Sequence, residues 1–208
     1  AIAASPDSFC RHYGIHASIE RGAEECFVAT DLIRPGQECL DFCGAAFGIL
    51  HLPGHSDGHL GFVTPDGVAY LGDAIMGFPQ LAGSKMPFTT QLAHDLASKR
   101  AILNLSAKAY VVAHKAILSD VRELAEANTT RLLEKVEDIL ASLRGTPTGG
   151  EWLVSYCEEK GWNFRSERSF SILEFGFNSA VTYLEETGRI TSRRVNGNRR
   201  YIKKQGNK

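Results

Sequence analysis

Residues 51–74, HLPGHSDGHLGFVTPDGVAYLGDA, restrict the fold more than any other stretch of the chain. Pro53-Gly54 sets a turn directly before His55. The apolar runs Leu60 to Thr64 and Val68 to Leu71 flank Pro65-Asp66-Gly67, so they pair as an antiparallel hairpin. Gly72 then carries the chain to Asp73, and a residue without a Cβ lets its surroundings come close. A further apolar run, Ala109 to Ala113, leads to His114. Three metal-ligating side chains thus stand at the ends of separate apolar strands, the arrangement by which a sheet rim builds a metal site.

The elements around this stretch follow from periodicity. Ser5-Pro6 predicts a short helix start ending near Gly14, with strands at 15–19 and 24–29 and a turn at 34–37. Ala46 to Leu52 reads as a strand. Leu92, Leu96, Ile102 and Leu103 predict a helix over 90–103. Val121, Leu124, Leu132, Val136, Ile139, Leu140 and Leu143 lie mostly on one stripe of a long helix, 119–143. Thr148-Gly149-Gly150 reads as a linker, placing a domain boundary at 145/146. Beyond it come helices at 151–159 and 169–186. Strands 189–195 and 199–203 follow, joined by Asn196-Gly197, a strong tight-turn signal.

Bulk properties exclude several classes. A chain of 208 residues, 43% hydrophobic and 23% charged, is an ordinary globular protein that can bury a core. No apolar run approaches the roughly 20 residues a membrane span needs. AIAAS at the start is too short for a signal-peptide apolar region. The first residue is Ala1, which suggests a processed or partial chain. Five cysteines, none spaced C-x-x-C, read as reduced thiols acting as small buried apolar groups in a cytoplasmic protein. Cys39 and Cys43 are the pair with some claim on a metal. Eight of the 23 Lys and Arg fall in residues 188–208, which hold no Asp or Glu. The acidic remainder and basic tail allow a polyanion partner or a merely solvated end.

The motifs PGHSDGH (53–59), YLGDA (70–74) and VVAHK (111–115) occur in the order and spacing of the third, fourth and fifth metal motifs of the metallo-β-lactamase superfamily, which the chain resembles over about residues 1–145. The resemblance implies an α/β fold, a metallo-β-lactamase-type αββα sandwich. It further implies a two-metal hydrolase, with His55 on the first metal, Asp73 bridging both as the catalytic carboxylate, and His114 on the second. Zinc is the expected ion, with iron or manganese as alternatives. His51 and His59, flanking His55, read as residues behind the ligands, and His94 as a surface histidine. The family's H-x-H-x-D-H motif does not occur; His12 and His16 are four apart but no Asp-His follows. The expectation is therefore a partial sandwich over 1–145 that lacks the motif's ligands, holds metal weakly, and self-associates through its open sheet.

Helices followed by a basic hairpin suggest a small winged-helix-like α+β domain over 146–208. Arg193, Arg194, Arg199, Arg200, Lys203 and Lys204 cluster there, and such a wing can lie along phosphates. Tyr201 could stack on a base. The function these readings favour is hydrolysis of a small ester or thioester. The alternatives are a nucleic-acid-processing or nucleic-acid-binding protein, and a non-catalytic dimerising remnant.

Overall fold

The computed structural model describes residues 32–113, 116–164 and 166–204. The helix and two strands expected before residue 30 lie outside them, as do Cys10, His12, His16, Cys26 and His114. Two compact units are present, Ala1–Gln37 and Glu38–Lys208. Within the described part of the first, the Gln37 N–H donates to the Arg34 carbonyl at 3.0 Å, closing the expected turn.

The second unit is built on a six-stranded sheet. Its strands are β1 (Cys39–Phe42), β2 (Ala45–His51), β3 (Leu60–Val63), β4 (Val68–Gly72), β5 (Ala109–Val112) and β6 (Ala116–Leu118), adjacent in chain order. Neighbours are antiparallel except β4 and β5, which are parallel. A parallel pair needs a crossover. Here it carries α1 (Phe78–Gly83) and α2 (Leu92–Leu103). The chain continues through α3 (Arg122–Ser142), α4 (Gly149–Glu159) and α5 (Glu167–Glu186) to a hairpin of β7 (Ile190–Val195) and β8 (Asn198–Lys203).

The alternation of each strand sorts its side chains. Ala69, Leu71, Tyr110 and Val112 point into one core with Leu52, Ile102, Val121 and Leu124. The paired residues Phe62, Tyr70, Val111 and Ile117 share the other face. Tyr70 and Ile117 there stay 48% and 75% exposed. A second, larger core joins Leu92 and Leu96 of α2, Leu132, Val136 and Ile139 of α3, Trp152 and Tyr156 of α4, Phe177 and Leu184 of α5, and Ile190 of β7. It therefore crosses the division expected at 145/146.

Local chemistry accounts for the helix starts. Thr148 and Glu151 form a reciprocal capping box, so α4 begins at Gly149 and the expected linker is its cap and first turn. The Ser166 hydroxyl accepts from the Ser169 N–H and starts α5. Sequence reading misses three short elements. β1 is a four-residue, largely exposed edge strand, and α1 and β6 span only six and three residues. One expectation is corrected: Cys39 and Cys43 are exposed, and only Cys157 among the described cysteines is buried. Cys39 lies on edge strand β1, and Cys43 sits at φ +53° in the β1–β2 turn, where neither side chain reaches a core.

Candidate metal centre

Strand directions bring the site together. β2 and β4 are each antiparallel to β3, and β5 is parallel to β4, so β2, β4 and β5 all end at one rim of the sheet. His55 follows β2 and Asp73 follows β4. At the end of β5 the Ala113 N–H donates to the Gly72 carbonyl at 3.2 Å. His114 is the next residue in the chain.

His55 and Asp73 converge, with Nε2 and Oδ2 at 3.9 Å. Their side chains are 30% and 47% exposed, open enough for a ligand to reach. His59 stands behind them. Its Nε2 accepts from the Asp73 N–H at 3.1 Å, and its ring centroid is 5.8 Å from that of His55. Burial, then the neighbouring His55, push the His59 imidazole below its ordinary value. It is therefore neutral, and the hydrogen bond assigns its proton to Nδ1, which is buried with no partner among the described residues. Gly72 makes this approach feasible: its φ is +54°, and a Cβ there would sit 2.9 Å from His59 Nε2.

The loop carrying His55 is clamped to α2. The Gly54 carbonyl accepts from the Thr90 and Gln91 N–H groups at 2.8 and 3.2 Å, and from the Thr89 and Thr90 hydroxyls at 3.0 Å each. Ser98 donates to the Pro53 carbonyl at 2.6 Å. Gly54 has φ +135°, and a Cβ would fall 2.3 Å from Asp95 Cα. Asp95 and Lys99, each 5% exposed, form a buried ion pair at 2.6 Å. The Lys99 ammonium also donates to the Ala74 carbonyl at 3.1 Å. The lead-in residues 89–91 thus grip Gly54, and α2 itself grips Pro53 through Ser98 and Ala74 through Lys99. Phe88 closes one side, its ring 4.9 Å from His55 and 5.8 Å from Phe175 of α5.

Sequence reading passes over Asp95, Lys99 and Phe88. The signal for the pair was present: Asp95 and Lys99 are four apart on the buried stripe of Leu92, Leu96 and Ile102. His51 lies exposed at the end of β2, and His94 is exposed on α2. Among the basic residues, Arg199 pairs with Glu185 at 2.5 Å. Arg200 holds the Thr146 carbonyl at 2.8 Å and Glu151 at 3.3 Å. Tyr201 packs 5.8 Å from buried Trp152. Arg193, Arg194, Lys203 and Lys204 are exposed.

The donors suit a borderline or hard divalent ion. Two ligands at about 2.1 Å from one tetrahedral ion lie about 3.4 Å apart, so the 3.9 Å pair needs only a small shift. Among the described residues no third His, Cys, Asp or Glu joins them. The pair therefore fits as part of a ligand set.

No family model and no curated protein matches the chain. Solved structures do. A metallo-beta-lactamase family protein from Thermus thermophilus matches over 98% of this chain at 24% identity, with TM-score 0.65. A beta-lactamase domain protein from Burkholderia ambifaria matches over 98% at 13% identity, with TM-score 0.68. The chain has the metallo-β-lactamase fold. It spans 65% and 61% of the length of those two proteins. Among the described residues, no helix is long and apolar enough to cross a membrane.

Proposed function

We propose that the chain belongs to a metal-dependent hydrolase acting on a small ester or thioester. His55, Asp73 and His114 are its share of the ligands, and zinc is the first ion to test, with iron and manganese as alternatives. The observation that carries the reading is the convergence of His55 and Asp73 at the rim where β2 and β4 end. The fold shared with the two solved structures supports it.

The ion's contribution when bound is Lewis acidity and a water acidic enough to attack near neutral pH. The chain's own groups do the rest. Asp73 holds a carboxylate at the mouth of the site, and its backbone N–H is fixed by His59. His59 stays neutral, so it adds no positive charge beside the ligands. Phe88 covers one side of His55 and keeps water from that face. The grip of α2 on Pro53 and Ala74, with that of residues 89–91 on Gly54, holds both loops at fixed spacing, so little reorganisation is left for the reaction.

A panel of aryl esters and acyl thioesters, assayed with added zinc, manganese or iron and again with a chelator, tests this. Metal-dependent turnover that falls about 10²-fold or more in Asp73→Asn is expected, the scale on which a group acting at the reacting water contributes. Turnover that survives the chelator, or is equal in Asp73→Asn, would overturn it.

A further inference from the structure

The segment 83–86, the residues 163–164 and the first turns of α5 line a cavity of about 440 Å³ that is open to solvent. Met86, Phe164, Ile172 and Leu173 are its apolar wall, Ser84, Asn163 and Ser169 its neutral polar wall, and Lys85 its charged group. Ile172 remains 41% exposed, an unburied apolar side chain on a helix whose Leu173 and Phe177 are fully packed.

Lys85 is under-used. Its ammonium lies 4.4 Å from the Phe164 ring centroid and 5.7 Å from that of Trp162. Among the described residues its one hydrogen bond, to the Asn163 carbonyl, is long at 3.5 Å. Lys85 is exposed, so its remaining donors face solvent and are open to an incoming anion. Among the described residues no carboxylate lies within ion-pair distance of it.

The surroundings are cationic as well. Lys135 lies 5.4 Å from the same Trp162 ring, with its side chain only 8% exposed. Burial and the nearby Arg131 push its ammonium below the ordinary value. Arg131 reaches the Ser84 carbonyl at 3.4 Å, and its Nε is buried without a partner among the described residues. Lys160 adds a fourth cation, 3.0 Å from Asp138. Of these, Arg131 pairs with Glu134, and Lys135 and Lys160 share Asp138, which leaves Lys85 as the cation with no ion pair among the described residues. Glu158 is a further carboxylate on this side, acting with Lys85 on the Cys157 thiol. The same walls continue to the candidate metal centre. Phe88 is two residues beyond Met86 and touches His55, and Phe175 is one turn of α5 beyond Ile172.

We propose that this cavity binds the anionic end of a small amphiphile, a carboxylate or phosphate monoester joined to a short alkyl or aryl chain, with Lys85 meeting the anion and Ile172 and Phe164 the chain. Positive charge without a carboxylate partner selects the anion, and the exposed apolar lining selects the chain. The site rests on the hydrolase reading in one respect only: in that enzyme such a ligand is a substrate whose labile bond reaches past Phe88 to His55 and Asp73.

Calorimetric titration of the metal-free chain with octanoate, octyl phosphate, octanol and inorganic phosphate, each below any micelle concentration, tests the site. Tryptophan emission serves as the locator. The chain has two tryptophans. Trp152 is 1% exposed in the main core, and Trp162 lies beside Lys85. Saturable binding of octanoate or octyl phosphate is expected, at least about tenfold tighter than octanol or inorganic phosphate. The emission change should vanish in Trp162→Phe. Lys85→Met should weaken the anionic amphiphile about tenfold, leave octanol unchanged and keep the melting temperature, since Lys85 is exposed. Ile172→Ser should weaken both amphiphiles and spare inorganic phosphate. The tighter of octanoate and octyl phosphate names the anion. Octanol binding as tightly as the anions, unchanged affinity in Lys85→Met, or no saturable heat would overturn the proposal. None of these readouts needs metal or turnover. Saturable binding together with no turnover of any aryl ester or acyl thioester by any metal form would stand against the hydrolase reading and leave this site intact. Hydrolysis indifferent to Lys85→Met would do the reverse.

Discussion

Gly54 and Lys99 each hold a loop of the candidate metal centre in place. At Gly54, a side chain meets both a left-handed backbone and the Asp95 main chain. Gly54→Ala is expected to cost about 2–4 kcal/mol in denaturant unfolding, through strain at a positive φ plus displacement of the α2 start. Lys99→Met leaves the Asp95 carboxylate buried without its cation. It should destabilise by about 3 kcal/mol or more, whereas Asp95→Leu combined with Lys99→Met should recover most of the loss. Urea titration of the three proteins checks this, and a double variant no better than Lys99→Met would refute it. The convergence of His55 and Asp73 was legible because histidine after Pro-Gly and aspartate after a strand-ending glycine are local patterns. The clamp was legible only in part. Asp95 and Lys99 fall on the buried stripe of their helix, but the loops at 54 and 74 that they hold are set by tertiary packing.

Among the elements, the β7–β8 hairpin was predicted from Asn196-Gly197 and forms with that turn. Two of its basic residues have carboxylate partners within the chain, and Arg193, Arg194, Lys203 and Lys204 stay exposed. Arg199 and Arg200 are spent on Glu185, Glu151 and the Thr146 carbonyl, contacts between distant segments that no local pattern announces. Those contacts make the hairpin pH-sensitive. Ser192, then Arg199, hold the Glu185 carboxyl below its ordinary value of 4.5. A carboxylate whose folded pKa is depressed stabilises the fold fully above its unfolded value, and that contribution fades as pH falls through the folded value. Docking of the hairpin on α5 should therefore hold above pH 4.5 and weaken on acidification below it. Amide exchange in Ile190–Val195 against pH reads this directly. Glu185→Gln should show the weakened protection already at neutral pH and lose the acid dependence.

Within Glu38–Lys208, the helical side of the six-stranded sheet continues into the C-terminal helices. The Gly-rich run at 148–150, on which the division expected at 145/146 rests, serves as a helix cap and first turn. The long helix α3 packs across that position. Its buried stripe faces Trp152, Phe177 and Leu184, so cutting after 145 would expose Leu132, Val136 and Ile139. A chain ending at residue 145 is expected to lose cooperative unfolding by circular dichroism, and a sharp transition like that of the full chain would contradict this. Periodicity revealed α3, α5 and the hairpins. It could not reveal that α2 serves both cores, because Leu92 and Leu96 pack with the C-terminal helices while Ile102, on the same helix, packs under the sheet.

One rim of this sheet is expected to gather an ion's ligands from three strand ends. Paramagnetic relaxation by NMR, with substoichiometric Mn²⁺ added to the isotope-labelled chain, tests it even where binding is weak. Selective broadening of His55, Asp73 and His114, reversed by zinc and absent in Asp73→Asn, is the result this account predicts. Broadening centred on His51, His94 or the exposed carboxylates, with His55 and His114 left sharp, would contradict it.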